Sequence, residues 1–273
     1  MSLKQHPLLQ PFLPHLRSIR SGVKTARQYP EFLGERKRSQ AWSKRFNQKN
    51  YEAVEQALQN VKKHGGFFGG WAADEAALRA FAQYTLSTFE GPLIAEFGSG
   101  QSTRFWQYLH QEGVALQVNT FEHHPYWFET AQRNNPEIVL HQAALLFVDD
   151  EVKQKLFAHP ENAERTFHEQ GKPLPESEWD NTRTQNAFYD VDTSVFAHNA
   201  IQAVLLDGPN GSGRSLAFPL LKPYLAKDAI FLIDDYDHYP FLEELSLVFE
   251  YELLHVSHKL GKSWCLLQLQ ACS

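Results

Sequence analysis

The sequence predicts an α/β protein with a Rossmann-like, doubly wound sheet of seven strands, mostly parallel and closed by an antiparallel hairpin. From Pro92 onward, short apolar segments alternate with amphipathic ones. Apolar segments separated by helical patterns of roughly 10–15 residues form parallel βαβ units. The last two apolar segments, FEYELLHV and SWCLLQLQ, are joined only by SHKLGK. So short a connection requires antiparallel pairing.

Length and composition fit one α/β domain with an extension: the chain has 273 residues, of which 42% are hydrophobic. No apolar run approaches the roughly 18 residues of a membrane span, and no secretory pattern begins the sequence. The two cysteines, Cys265 and Cys272, argue against a disulfide framework and a zinc site. We therefore expect a cytoplasmic protein without a transmembrane segment.

Residues 1–70 are predicted to be a basic helical extension. Residues 1–63 carry 13 Lys/Arg against 4 Asp/Glu, whereas the rest of the chain carries 13 against 28. We expect this arm to pack on the acidic domain; contact with a membrane surface, nucleic acid or an acidic partner is the alternative. One apolar stripe predicts a helix that stops at Gly65-Gly66, and a second helix is expected over Asp74–Phe89. The stripe consists of Val54, Ala57, Leu58 and Val61.

Residues 71–273 are predicted to form the α/β domain. Its strands are expected in PLIAEF, ALQVNTFE, EIVLHQAALLFV, IQAVLLD, AIFLIDD and the two hairpin segments. Residues 149–198 interrupt the alternation, because they are polar, acid-rich and contain three prolines. A segment of that length inside a compact domain is usually a lid, a cap or a disordered loop. We favour a cap over the substrate, with disorder as the alternative.

The first strand runs into a glycine-rich turn, Glu96-Phe97-Gly98-Ser99-Gly100-Gln101-Ser102-Thr103. In a doubly wound sheet the ligand lies at the carboxyl ends of the strands. Gly98 and Gly100 allow a sharp turn and a close approach of the backbone to a ligand. Glu96 can hold a cation such as the amino group of a methionyl moiety, directly or through water, whereas it would repel a pyrophosphate.

The second strand ends at Glu122, one strand–helix–strand unit beyond Glu96. An acidic side chain at that position bonds ribose hydroxyls. The alternative is an acid that stabilises the start of the helix near Pro125. The dinucleotide fingerprint of three glycines fails, because Thr103 occupies the place of the third glycine.

Four segments in order, EFGSGQST, TFEHHPYWFE, AVLLDGPNGSGR and AIFLIDDYDH, resemble a subgroup of class I S-adenosylmethionine-dependent methyltransferases. In that subgroup the glycine motif continues into Ser-Thr and the fourth strand ends in Asp-Gly-Pro. The resemblance covers about Trp71–Gln270 and leaves residues 1–70 outside it.

The resemblance implies S-adenosyl-L-methionine as the cofactor and says nothing about the substrate. We expect methyl transfer to an oxygen or nitrogen of a small molecule or glycan, with oxygen favoured. It implies that the ribose is bound by Glu122, that His123 lies beside the adenosyl group, and that Asp207 lies near the sulfonium and the acceptor. The residues implied to line the methionine part are Glu96, Gly98, Ser99 and Gly100, with Ser102 and Thr103 close by.

Three acids end the fourth and fifth strands: Asp207, Asp234 and Asp235. Carboxyl ends of parallel strands share one edge, so these side chains are expected to meet and could hold Mg²⁺. Metal-assisted O-methyltransferases resemble this arrangement, but they have an asparagine where this chain has Asp235. The alternative is that Asp234 and Asp235 cap a helix or pair with Arg214.

The catalytic candidates are Asp207, His238 and Arg214. His238 is the candidate general base, because a histidine titrates near neutral pH. Orientation of the two reactants can also supply much of the rate without a base.

Two other functions remain open. Gly208–Ser215 matches a phosphate-binding loop except for Arg214 in the lysine position, which favours a nucleotide triphosphatase or kinase. A non-catalytic protein that retains the fold is the third hypothesis.

Overall fold

The computed structural model describes residues 48–259 and 262–270. The part of the predicted basic helical extension that precedes residue 48 lies outside the described residues. No helix in the described ranges is long and apolar enough to cross a membrane.

Helices and strands alternate through most of the chain. The helices are α1 (Gln48–Lys63), α2 (Glu75–Thr88), α3 (Gln101–Gln111), α4 (Pro125–Asn134), α5 (Asp150–Ala158), α6 (Ala163–Gln170), α7 (Ala217–Leu221) and α8 (Phe241–Leu245). The strands are β1 (Leu93–Phe97), β2 (Gln117–Glu122), β3 (Val139–Gln142), β4 (Leu145–Phe147), β5 (Lys172–Pro173), β6 (Ala187–Tyr189), β7 (Ile201–Leu206), β8 (Leu225–Asp234), β9 (Tyr251–Lys259) and β10 (Lys262–Leu269).

Seven strands form the main sheet in the order β3-β2-β1-β7-β8-β10-β9. Strands β3, β2, β1, β7 and β8 are parallel, and β10 runs antiparallel to both β8 and β9. This is the predicted sheet: Rossmann-like, mostly parallel and doubly wound. The predicted closing hairpin is confirmed.

The sheet is buried on both faces. Alternate residues of each strand point to opposite sides, and apolar side chains cover each side. On one face, Ile94 packs with α1, α2 and α3, including the fully buried Phe81 and Trp106. On the other, Phe97 packs with residues 143–196 and with α7 and α8. Burying an apolar side chain such as Phe81 or Phe97 stabilises the fold by about 1.5–3 kcal/mol relative to leaving it exposed to water.

The helices before the sheet are as predicted. The four apolar residues of the first stripe, Val54, Ala57, Leu58 and Val61, are fully buried in α1. In α2 the Asp74 carboxylate caps the amino end by accepting a hydrogen bond from the Ala76 amide, 2.8 Å away. These residues pack directly on the sheet, so the folded layer begins at least as early as α1.

The predicted third strand is wrong in its extent. The segment 137–148 divides into β3, which extends the main sheet, and β4, which belongs to a second sheet of order β5-β4-β6. Strand β4 pairs with residues 187–189, and a single-strand pattern cannot reveal a partner so distant in sequence.

Residues 149–198 are folded, which rules out the alternative of disorder for this segment. It contains α5, α6, β5 and β6, and its Phe167 and Phe188 are buried in the same core as Phe97. Its last strand packs against the turn after β7: a Cβ built on Gly213 would lie 1.7 Å from the Ala187 carbonyl oxygen. The insertion is therefore anchored to the carboxyl edge of the main sheet.

We expect Gly213→Ala to lower the free energy of unfolding by about 1–3 kcal/mol, because the added methyl group would overlap the Ala187 backbone. Urea denaturation measures this change. Gly100→Ala is the control, since nothing lies within 4 Å of its added carbon. Equal stability of the two variants would contradict the close packing of the insertion.

Candidate functional site

The turn after β1 requires glycine at its first position. Gly98 has φ 96°, in the left-handed region that favours glycine. A Cβ built there would lie 3.0 Å from the Gly208 amide nitrogen, so the turn after β1 touches the turn after β7. The Gly98 amide donates to the Phe121 carbonyl, 2.9 Å away in β2. Three strand ends therefore meet at this glycine.

Glu122 faces the glycine turn from the end of β2. Its Oε2 accepts hydrogen bonds from the amide and from the hydroxyl of Ser99, both at 2.9 Å. Its Oε1 accepts from the His124 amide at 2.8 Å and lies 3.2 Å from His123 Nδ1. Burial alone would raise the pKa of this carboxyl, but the nearby His123 ring and the hydrogen bonds from His124 and Ser99 outweigh it and lower the pKa. Glu122 is therefore a buried anion bonded to the glycine turn.

Glu96 lies on the face of β1 that α3 covers, and it is fully buried. Its Oε2 accepts from the Thr103 hydroxyl at 2.8 Å and from the Thr120 hydroxyl at 2.6 Å. Its Oε1 accepts from Trp106 Nε1 at 3.0 Å. Burial raises the pKa of Glu96 to about 7, against the lowering effect of hydrogen bonds from Ser102, Thr120, Thr103 and Trp106.

This placement links Glu96 to the glycine turn through Thr103. The Thr103 hydroxyl accepts a hydrogen bond from the Gly100 amide, 3.0 Å away, while donating its own proton to Glu96. Ser102 and Thr103 are both buried at the start of α3. Glu96 therefore acts on the turn by holding it, and its carboxylate is not exposed to a ligand.

A cavity of about 530 Å³ opens beside the end of β7. Its walls come from the turn before α2, from the insertion and from the loops after β7 and β8. Its lining includes Trp71, Thr182, Asp207, Asn210, Arg214, Asp235, His238, Tyr239 and Phe241. The predicted catalytic residues Asp207, Arg214 and His238 are thus brought together around one cavity.

Arg214 is buried, and its side chain donates to two backbone carbonyls, one in the loop after β7 and one at the end of β8. Its Nε donates to the Pro209 carbonyl and its Nη1 to the Asp234 carbonyl, each at 2.9 Å. A phosphate-binding loop instead presents its cationic side chain to the nucleotide and leads into a long helix. Here only the five residues of α7 follow the 3₁₀ turn Ser212–Leu216. The geometry therefore gives no support to the triphosphatase alternative.

The three acids expected to share a cation do not form a metal site. Within the described ranges, no three His, Cys, Asp or Glu side chains are grouped so that they could hold a metal ion. Asp234 is buried, whereas Asp235 lines the cavity. Asp234 is the last residue of β8, whereas Asp235 begins the following turn with φ 51°, so the two side chains occupy different surroundings. Of the three acids, Asp207 and Asp235 line the cavity and Asp234 does not.

The two histidine candidates occupy different places. His238 lies at the mouth of the cavity, its side chain 59% exposed, with Nδ1 4.0 Å from Asp235 Oδ2. His123 is largely covered, since its ring packs edge-on against Trp179 at 5.3 Å and against Tyr189 at 5.8 Å. His123 therefore lies beside Glu122, and His238 borders the cavity.

Sequence reasoning missed four residues of this region: Trp71, Trp179, Tyr189 and Asn210. Trp71 is 83% exposed beside the cavity. Asn210 lines the cavity and donates to the Trp179 carbonyl at 3.3 Å. For Trp179 and Tyr189 the sequence offered one signal, since both are aromatic residues within an otherwise polar insertion. Only the folded chain brings Trp179 and Tyr189 to His123.

No protein-family model and no curated protein matches the chain. Among solved structures it is similar to a TehB-like SAM-dependent methyltransferase from Corynebacterium glutamicum, at 15% identity over 83% of this chain and 100% of that one, with a TM-score of 0.38. A methylase of a ribosomal protein from Lactobacillus delbrueckii subsp. bulgaricus is similar at 10% identity over 74% and 81%, with a TM-score of 0.41. The fibrillarin pre-rRNA processing protein of Methanococcus jannaschii is similar at 8% identity over 70% and 74%, with a TM-score of 0.35. These similarities concern the fold alone.

We expect Glu96→Gln to flatten the dependence of stability on pH. The pKa of Glu96 is about 7 in the folded chain against an ordinary value of 4.5, so the folded state holds this proton more tightly. That contribution is full below pH 4.5 and is lost as the pH rises through about 7. Between these limits the wild type should lose roughly 3 kcal/mol relative to the variant.

Urea denaturation at intervals between pH 5 and 8 measures this difference. The change with pH is the readout, because the substitution also alters the hydrogen bonds of Thr103 and Trp106 at every pH. Glu252→Gln, at an exposed position of β9, is the matched control and should follow the wild type. Parallel pH curves for the wild type and Glu96→Gln would contradict the prediction.

Proposed function

We propose that the chain is an S-adenosylmethionine-dependent methyltransferase that methylates an oxygen of a small molecule or glycan. The observation that carries the proposal is the glycine turn of β1, bonded to Glu122 and in contact with the turn after β7. It lies at the carboxyl edge of the sheet, beside a cavity lined by Asp207. In an open α/β sheet this edge is where ligands bind.

The cofactor half of the proposed site is the cleft between the ends of β1 and β2. Glu122 is anionic and sits where an acid bonds ribose hydroxyls. Gly98 and Gly208 are in close contact, since a Cβ on Gly98 would lie 3.0 Å from the Gly208 amide nitrogen and one on Gly208 would lie 3.1 Å from Gly98 Cα, whereas the space above Gly100 is open. This cradle fits the methionyl part of the cofactor, with Ser99 beside it and Glu96 holding the turn from below.

The acceptor half is the cavity of about 530 Å³. Asp207, Asn210 and Arg214 supply hydrogen-bonding groups, and Trp71 and Tyr239 supply aromatic surface. Such a mixture suits a polar acceptor with hydroxyl groups. Because the cavity begins at Asp207, beside Gly208, an acceptor held there adjoins the cofactor cleft, and its orientation supplies much of the rate.

S-adenosylmethionine supplies a methyl group whose carbon bonds to the acceptor oxygen as its bond to sulfur breaks, the electron pair remaining on sulfur. The chain has to place the acceptor hydroxyl and remove its proton. His238 is the proposed acceptor of that proton, with the Asp235 carboxylate 4.0 Å from its Nδ1. No step is assigned to a metal ion, since the carboxylates do not converge on one.

Isothermal titration with S-adenosylmethionine and with S-adenosylhomocysteine tests the proposal. We expect both to bind with dissociation constants in the micromolar range, because the cleft offers polar contacts to ribose and methionyl groups. ATP with Mg²⁺ serves as the comparison ligand. Binding of ATP·Mg²⁺ together with failure to bind either adenosyl compound would refute the methyltransferase function.

Glu122→Ala should weaken binding of S-adenosylhomocysteine at least several-fold, because the carboxylate bonds the ribose. Glu122 also bonds to Ser99, so the substitution could weaken binding by disturbing the glycine turn. A ligand that lacks one ribose hydroxyl separates this effect from loss of the ribose contact. Loss of the 2′-hydroxyl, in 2′-deoxy-S-adenosylhomocysteine, should weaken binding to the wild type but not to Glu122→Ala. Glu129→Ala, exposed on α4, is the control. Equal sensitivity of the wild type and Glu122→Ala to the missing hydroxyl would contradict the ribose assignment.

His238→Gln should lower kcat about 10²-fold with the cofactor affinity unchanged, because it removes the proposed proton acceptor but lies outside the cofactor cleft. Transfer of a radiolabelled methyl group to a panel of sugars and phenols measures the rate. His255→Gln, on β9, is the control histidine. An unchanged kcat, with an acceptor that supports turnover, would show that orientation alone suffices.

A further inference from the structure

Tyr189 reaches the candidate site from the insertion, as the last residue of β6. Its ring packs against Phe97 with centroids 5.7 Å apart and against His123 at 5.8 Å. Phe97 ends β1, and His123 follows β2. Tyr189 therefore covers the ends of both strands that form the proposed cofactor cleft.

The Tyr189 hydroxyl lies directly over Gly208. A Cβ built on Gly208 would be 2.5 Å from the hydroxyl oxygen and 3.1 Å from Gly98 Cα. Strands β1 and β7 are neighbours in the order β3-β2-β1-β7-β8, and the chain progresses outward from them in opposite directions. They form the switch point at which open α/β sheets bind ligands. The hydroxyl is therefore placed at the junction of the cofactor cleft and the acceptor cavity.

Folding gives no reason for this hydroxyl. Tyr189 is fully buried, and its oxygen has no hydrogen-bond partner among residues 48–259 and 262–270. A phenylalanine would make the same ring contacts without burying an unpaired polar group, which opposes folding. A buried hydroxyl without a partner, next to a ligand cleft, indicates a partner that arrives with the ligand.

The charges around Tyr189 favour a positively charged partner. The carboxylates of Glu122, Asp207 and Glu96 act on the hydroxyl, opposed by the single guanidinium of Arg214. Burial, and then the charge of Glu122, raise the pKa of Tyr189 well above its ordinary value. The phenol therefore keeps its proton, and its oxygen lone pairs remain available to an electron-poor group.

Resting on the proposed function, we propose that the Tyr189 hydroxyl oxygen contacts the sulfonium end of S-adenosylmethionine and so distinguishes this cofactor from its product. Tyr189 contacts the residues of the cofactor cleft and is not among those lining the acceptor cavity. Transfer of the methyl group leaves a neutral sulfur, which has no such attraction for the oxygen. The contact therefore favours the methylated form and eases release of S-adenosylhomocysteine.

Tyr189→Phe tests the proposal by the ratio of two affinities measured by isothermal titration. We expect the variant to bind S-adenosylmethionine about fivefold to tenfold more weakly and S-adenosylhomocysteine within twofold of the wild type. The melting temperature should stay equal or rise, because the unpaired hydroxyl is gone. This pattern separates a contact to the charged sulfur from a structural role.

Tyr224→Phe is the matched control, since the Tyr224 hydroxyl bonds to Glu164 at 2.7 Å and Thr193 at 3.0 Å, away from the cleft. It should leave the affinity ratio unchanged. If Tyr189→Phe leaves both affinities unchanged, or lowers both equally, the Tyr189 assignment is overturned while the proposed function stands. If the wild type binds neither compound, the proposed function fails and this inference fails with it.

Discussion

The buried carboxyl of Glu96 ties together the parts of the structure that define the site. It accepts hydrogen bonds from Thr103 at the start of α3, from Thr120 on β2 and from Trp106. A carboxyl removed from water is costly unless such donors surround it. These hydrogen bonds fix the first turn of α3 against two strands, and through Thr103 they fix Gly100. The position of the glycine turn depends on this network.

The insertion, residues 149–198, packs on the opposite face of the sheet, where it holds the turn after β7. Its residues 182–189 pack against the turn after β7, with Ser212 N donating to the Thr184 carbonyl at 3.1 Å. Tyr239, from the loop after β8, donates through its hydroxyl to the Thr182 carbonyl. Within this one segment, Tyr189 contacts His123 and Thr182 lines the cavity. A movement of this segment would alter both halves of the proposed site together, which makes it a wall common to the cofactor and the acceptor.

Local patterns were sufficient for most of the fold. The apolar stripe of α1, the capping Asp74 and the short connection between β9 and β10 each act within a few residues. The position of Glu122 at the end of β2 likewise followed from local pattern; its role as a ribose ligand stays a prediction. The predicted meeting of Asp234 and Asp235 with Asp207 failed, because the direction of a side chain depends on strand alternation and on the turn at Asp235, where φ is 51°. The division of the third strand depended on pairing with β6, more than 40 residues later.

The sequence by itself determined the sheet, its closing hairpin and the two acids Glu96 and Glu122 at strand ends, because periodicity and spacing are properties of neighbouring residues. The tertiary structure alone decided which groups these two buried acids hold: Glu122 bonds to Ser99 of the glycine turn, and Glu96 is enclosed beneath α3. It also decided that Tyr189 and Trp179, from a polar insertion, lie against His123. Those contacts join segments distant in the chain, and their geometry is set by packing, for which no local pattern in the sequence exists.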